Sequence, residues 1–554
     1  MTLDSQSFLT YCRHARRTRK PSTWLVSYIN TFDHTASIMF SVKKQEGVIP
    51  IVLDAAARPS SKISEFFGDT LINEPTPSPE RRKILRKRHR RPHHATAEPF
   101  TPPQRKDLRP RSPSNILIEG CGLSRFTWPT SLGLLSLILF LLPPPYRFHG
   151  LTTLTTALFI TDVVLFILFS LLVLCCALIH SKCCTRPRQP CRELTSNAAK
   201  LGSLAYWPMA WLTLVAFAVF LAGYGDQRAM AGLRSGEGIG NAVSDGGGGG
   251  KKELRRRVLT MIAYVMWWVG VVWMTGTMVF VMGVLAGVVG GQSERWVLRK
   301  GLNVRGEEED EVRVVLPGCM LTSAFGMGLL ALVGGLLVSV LVRLGTLSVG
   351  MATPVLVLSF CVEGVALFTT LCLYAVLQQE MIQVEGWASV HLIKLSFWMM
   401  GSASVCAAAV QMLGRAVEDV SAILGDDDTQ VGASSGNFFD TPATAQVAHV
   451  VCTLLALLLL GLAALWLIVS LVAFVSFAIH RRLSWKGQCS DTVIPVAALA
   501  LSTVQFKSDL NSSFFGIVTC VLVVAAAASF LINLVLCIKQ LTMKREYSAI
   551  LLAI

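Results

Sequence analysis

The chain reads as an all-α polytopic membrane protein of ten transmembrane helices arranged as five helical hairpins. Hydrophobic side chains make up 52% of its 554 residues and charged ones only 15%, with a mean hydropathy of +0.54. A soluble protein of this size is not so apolar. The apolar runs also recur to the end of the chain in one rhythm: a long run, a tight link and another long run.

The stretch from Phe126 to Ile179 sets this rhythm. It holds two apolar runs separated by PPPYRFHG at 143–150, each long enough to cross a hydrocarbon core of roughly 30 Å. The three prolines end the first helix, and Tyr146, Arg147 and His149 suit a headgroup layer. Further runs follow at about 201–223, 257–290, 314–341, 349–378, 392–414, 445–479, 491–506 and 513–538, which makes ten spans. Several are longer than one crossing needs, which tilt accommodates.

An even number of spans puts both termini on one side. On that side fall Lys182, Arg186, Arg188, Arg192 and Lys200 after the second span, and Lys539, Lys544 and Arg545 at the end. The opposite side receives PPPYRFHG and the acidic GDDDTQ at 425–430. The positive-inside bias therefore places both termini in the cytoplasm. Residues 225–256, ending GGGGGKKELRRR, are the basic exception, and their oligoglycine reads as a flexible inserted linker.

Three regions follow: a basic, largely disordered cytoplasmic tail at 1–125, a transmembrane domain at 126–540 and a cytoplasmic tail at 541–554. Much of the net charge of +15 lies before residue 126, notably in PTPSPERRKILRKRHRRPHH, which cannot bury enough apolar surface to fold. The Arg81–Arg91 run is a candidate surface for anionic lipid, at about 1 kcal/mol per basic residue. In a membrane-embedded chain it does not argue for nucleic acid. The tail has no apolar signal core near its start, so the first span is expected to direct insertion.

The cysteines are scattered singly through apolar runs or beside them, with no disulfide framework. His180, Cys183, Cys184 and Cys191 form one cluster, but adjacent cysteines are poorly spaced for zinc. Plain reduced thiols are favoured there over lipid acylation, and both over a metal. No loop carries a nucleotide-binding motif, HExxH or a catalytic-triad spacing. Neither an enzyme nor an ATP-driven pump has support, and no cofactor is expected.

FTWPTSLG, PYRFHGL and ALFITDVVLFILFS in the opening hairpin are followed by SLAYWPM at 203–209 and YVMWWVG at 264–270. HLIKLSFWMMG to QMLGRA at 391–416 and VIPVAALALSTVQFKSDLNSSFF at 493–515 complete the set. In order and spacing these segments resemble the tellurite-resistance/dicarboxylate transporter family. That family includes fungal malic acid permeases, fungal sulfite efflux pumps, the bacterial tellurite-resistance protein and the plant guard-cell slow anion channel.

The resemblance implies five hairpins around a central pore, with odd-numbered helices inside and even-numbered ones outside, and often a homotrimer. A small anion needs a path where helix ends and bent backbone offer partial positive charge without a cation that would trap it. Prolines and glycines inside the odd spans are the candidates for such bends: Pro129, Gly133, Pro208, Pro317, Gly326, Gly328, Gly401 and Pro495. The same residue types also serve close helix packing.

The sequence departs from the family at several of these places. The first-span Gly-Thr-Gly appears as Ser131-Leu132-Gly133, and the glycine-dense seventh span keeps Gly401 followed by Ser402, Ala403 and Ser404. The family's Trp-Trp before the ninth span falls at Cys489 and Ser490. The phenylalanine that plugs the pore in channel members falls at Ile494, which either leaves the pore open or blocks it with a branched aliphatic.

Asp162 in the second span and Glu363 in the sixth are carboxylates inside apolar runs. A charge there costs at least about 2.5–3.5 kcal/mol, so each is paired or functional. Their even-numbered helices favour a protonated carboxyl bonded to a neighbouring helix over a proton-coupling group. Lys394 and Arg415 bracket the seventh span, either as interfacial anchors or as charges that concentrate anions at the pore mouths. The expected activity is small-anion transport at the plasma membrane, with sulfite efflux or malate/C4-dicarboxylate transport foremost. The alternative is a transport-inactive scaffold whose basic tail binds lipid or a partner.

Overall fold

The computed structural model describes residues 123–142, 144–183, 198–223, 250–289, 307–383, 390–427, 442–480 and 492–553, all within one compact unit, Arg105–Ile554. The expectations for the N-terminal tail and its Arg81–Arg91 run, for the oligoglycine stretch before Gly250 and for Cys489 and Ser490 lie outside these residues. So do the side chains of the His180–Cys191 cluster.

Ten helices carry the spans. They are α1 (Thr127–Leu141), α2 (Leu151–Cys183), α3 (Tyr206–Gly223), α4 (Gly250–Val289) and α5 (Glu307–Arg343). The second five are α6 (Val349–Gln383), α7 (Val390–Asp427), α8 (Pro442–His480), α9 (Val493–Leu510) and α10 (Ser513–Ala553). With its flanking turns, each is long and apolar enough to cross a membrane, and no strand occurs among the described residues. Some bounds differ from the sequence reading. KKELRRR begins α4 instead of ending a linker, and most of the C-terminal tail continues α10.

Two populations of helix separate by burial. In the apolar cores of α1, α3, α5, α7 and α9 the buried share is 78%, 72%, 100%, 94% and 78%, whereas in the even-numbered helices it runs from 11% in α2 to 39% in α6. Exposed leucines such as Leu168, Leu171 and Leu174 on α2 suit a hydrocarbon solvent. The inner helices instead bury small and hydroxyl side chains, among them Ser402, Ala403, Ser404 and Ala407 on α7.

Contacts between the odd helices close a ring: α1 on α3, α3 on α5, α5 on α7, α7 on α9, and α9 back on α1. Each even helix packs on the odd helix before it. The apolar core of α5 is wholly buried because glycines let four neighbours approach it. A Cβ on Gly326 would meet Met274 Sδ of α4 at 2.8 Å, one on Gly334 would meet Trp267 at 3.0 Å, and one on Gly335 would meet the α7 backbone at 3.3 Å. Where lipid is as apolar as leucine, close backbone contact of this kind supplies the association energy.

Local chemistry fixes the hairpin ends. Arg147 donates from Nε to the Leu142 carbonyl at 2.8 Å and from Nη2 to the Phe140 carbonyl at 2.7 Å, capping the last turn of α1. Burial there lowers the guanidinium pKa from its ordinary value. Gly345, at φ +64°, turns the chain from α5 into α6. Asn511, at φ 44°, ends α9 in the left-handed conformation that lets α10 start two residues later.

Candidate functional site

The ring interior is built from stripes. On α7, Trp398, Gly401, Val405, Ala408, Met412 and Arg415 share one face at alternating three- and four-residue spacing, as do Ile494, Ala498, Leu501, Gln505 and Ser508 on α9. Towards their C-terminal ends these stripes meet Leu137 of α1 and Leu332 of α5 around a narrow pocket that is partly open to solvent.

Arg415 is the charged group of this pocket, with a side chain 7% exposed. Its Nε and Nη2 pair with Asp509 of α9, and Nη2 also donates to the Gln505 carbonyl at 2.9 Å. The other Asp509 oxygen accepts from Gln411 Nε2. One turn beyond Arg415, Asp419 accepts from Ser339 at 2.5 Å and pairs with Arg343 at 2.8 Å. His449 of α8 lies 3.0 Å from Glu418 and 3.9 Å from Asp509. A polar belt thus joins α5, α7, α8 and α9. Lone buried charges are costly, and here each carboxylate faces a cation or a donor.

About 25 Å back along α7, counting 1.5 Å per residue, the interior is filled by aromatic rings. Trp398 meets Tyr206 of α3 with centroids 5.9 Å apart and Phe325 of α5 at 5.4 Å and 82°. All three are buried. In the ring order α3 and α7 are separated by α5, so the Tyr206–Trp398 contact bridges two helices that are not neighbours in it.

The predicted residues fall into two groups. Pro129, Pro208 and Pro495 are buried, and each is third in its helix. This corrects the expectation that they bend the interior of the odd spans. A residue without an N–H fits the first turn, where that donor has no helical partner, so these prolines start their helices. Before Pro208 a short helix, Ala198–Ser203, gives way to a turn. Pro317 lies within α5, its side chain outside the described residues. Ile494 is fully buried on the α9 stripe.

The glycines all point at neighbouring helices. A Cβ on Gly401 would lie 2.8 Å from Pro495 Cβ, and one on Gly328 would lie 2.9 Å from Val405 Cγ1. On Gly326 it would meet Met274 and Met209, and on Gly133 it would meet Thr213 and, at 2.7 Å, Asp162.

Both membrane carboxyls belong to outer helices, yet both turn inward. Asp162 is fully buried against α1 and α3, and Thr213 Oγ1 lies 3.3 Å from its Oδ2. That hydroxyl also donates to the Ala210 carbonyl at 2.8 Å. Its single proton is thus shared between the Asp162 carboxyl and the Ala210 carbonyl. Glu363 is 3% exposed, and the Cys406 thiol of α7 is the one polar side chain that engages its oxygens, too poorly aligned for a regular hydrogen bond, among the described residues. Sequence reasoning found these two but missed Asp419 and Asp509, which stand just past the ends of apolar runs, and His449, which stands near the start of one. The i, i+4, i+8 spacing of Gln411, Arg415 and Asp419 was the available signal.

A closed ring of buried helices, an outer set with apolar surfaces and a polar pocket inside the ring define a polytopic membrane protein organised about a central axis. The chain belongs to the voltage-dependent anion channel family, SLAC1, whose sequence profile matches residues 121–538. It is therefore a member of a family of anion channels and transporters and not of an enzyme family. No curated protein matches the chain.

Proposed function

We propose that this protein passes small anions along the axis of the helix ring and across the plasma membrane, with both termini cytoplasmic. Sulfite efflux and malate or other C4-dicarboxylate transport are the leading activities. The observation that supports this most is the pocket inside the ring, where Arg415 and Gln505 stand among leucines. An inside-negative potential contributes about 2.3 kcal/mol per charge per 100 mV and favours anion exit.

Within this reading Ile494, Pro495, Pro129, Pro208 and Pro317 border the path at its N-terminal end, where the helix dipoles favour anions. Gly133, Gly326, Gly328 and Gly401 keep the wall closely packed. Trp398, Tyr206 and Phe325 close the path. A homotrimer, and contact of Arg81–Arg91 with anionic lipid, go with the same reading.

The test is flux through the full chain reconstituted in liposomes, measured for sulfite, malate, nitrate and chloride under an imposed potential. Saturable movement of at least one of them is the expected result. Movement of none would leave a membrane scaffold as the better description.

A further inference from the structure

We infer that the pocket around Arg415 and Gln505 is a binding site for singly charged small oxyanions, of the hydrogensulfite, nitrate or acetate kind, and that it disfavours dianions such as malate. This rests on the transport reading above and deepens it.

Three observations carry the inference. First, the guanidinium is only partly used. Its Nε and Nη2 are taken by Asp509 and the Gln505 carbonyl, while Nη1 makes no hydrogen bond among the described residues and the side chain lines the pocket. Second, the Gln505 side chain is 5% exposed, lines the same pocket and leaves its amide oxygen without a partner. A half-turn of its terminal torsion exchanges oxygen and nitrogen, so the amide can present N–H to an anion. Third, Ser508 borders the pocket one turn further along α9.

Charge decides the ligand class. Arg415 and Asp509 cancel, and the pocket lies near the C-terminal ends of α1 and α9, where the helix dipoles repel anions. What remains for an anion is the Arg415 Nη1 and the Gln505 amide in a wall of Leu137, Leu332 and Met412. The cost of stripping water from an ion grows with the square of its charge, and such a wall returns little of it, so one charge can enter where two cannot. Binding is correspondingly weak, as passage requires.

The experiment compares wild type with Gln505→Met, which is close in volume and spares the ion pair, and with Gln505→Glu, which puts a carboxylate beside Arg415. Two readouts are taken on the full chain: concentration dependence of liposome flux, and thermal stabilisation of detergent-solubilised protein by nitrate, acetate and malate at matched ionic strength. Expected is stabilisation by nitrate and acetate exceeding that by malate. The half-saturating nitrate concentration should rise about five-fold in Gln505→Met and further in Gln505→Glu, with maximal flux less affected.

Flux with half-saturation unchanged in both variants, or malate stabilising more than nitrate, overturns the site and leaves the transport reading standing. Nitrate stabilisation that the Gln505 variants weaken, in a chain that moves no anion, supports the site and overturns the transport reading.

Discussion

Gly328 of α5 and Glu363 of α6 face one another across a helix contact: a Cβ on the glycine would lie 3.7 Å from Glu363 Oε2 and 3.5 Å from Cys406 Sγ of α7. Gly133 and Asp162 repeat this between α1 and α2, at 2.7 Å. In both hairpins a missing side chain on the inner helix makes room for a carboxyl of the outer one. The packing that buries the carboxyl also brings it close to the ring.

Glu363→Gln keeps the shape and removes the titrating proton. We expect flux and its pH dependence to match wild type in liposomes across pH 5 to 8, roughly the range in which a coupling group would titrate. Loss of the pH dependence alone would show that Glu363 carries protons.

Gly401→Ala places a methyl group 2.8–2.9 Å from Pro495 Cβ and Cα, and the latter is backbone that cannot swing away. We expect a loss of roughly 1–3 kcal/mol, the usual cost of overpacking. Gly276→Ala and Gly461→Ala, where nothing lies within 4 Å, should change little. Thermal unfolding of the three variants in one detergent compares them.

Arg415→Leu leaves Asp509, with its side chain 8% exposed, without its closest cation, while His449 stays 3.9 Å away and Gln411 still donates to it. Breaking a buried pair costs about 3–5 kcal/mol, and less where a second cation stays near. The double variant Arg415→Leu/Asp509→Leu removes both charges and should recover much of the loss. A double-mutant cycle on unfolding midpoints gives the coupling, and additive effects would contradict it.

Trp398→Ala opens the aromatic contact between α3, α5 and α7. Removal of a buried tryptophan costs about 3–5 kcal/mol of stability, yet under the proposed function flux should rise because the path is less obstructed. Flux per folded protein, corrected by the amount that survives size-exclusion chromatography, is the measure. A fall in that corrected flux would place the path elsewhere.

Legibility in the sequence followed what depends on local composition. The ten spans could be read because an apolar run must exceed a fixed length to cross hydrocarbon, and that length is countable. Pro129, Pro208 and Pro495 could be singled out, but whether a proline bends a helix or begins one depends on the residues before it. The short helix and turn ahead of Pro208 left no clear mark in an apolar run. Asp509 was invisible as a buried group because it stands at the end of its run, where a charge is ordinarily wet.

The sequence by itself determined the class of the protein, its span count and the two carboxyls placed inside apolar segments, because hydrophobic length and charge in lipid are properties of single segments. Only the tertiary structure decided which neighbour each glycine admits, and that Arg415, Asp509 and Gln505 share one pocket. Those facts depend on which faces of separate helices meet. Periodicity gives each helix a face, and only packing gives that face a partner.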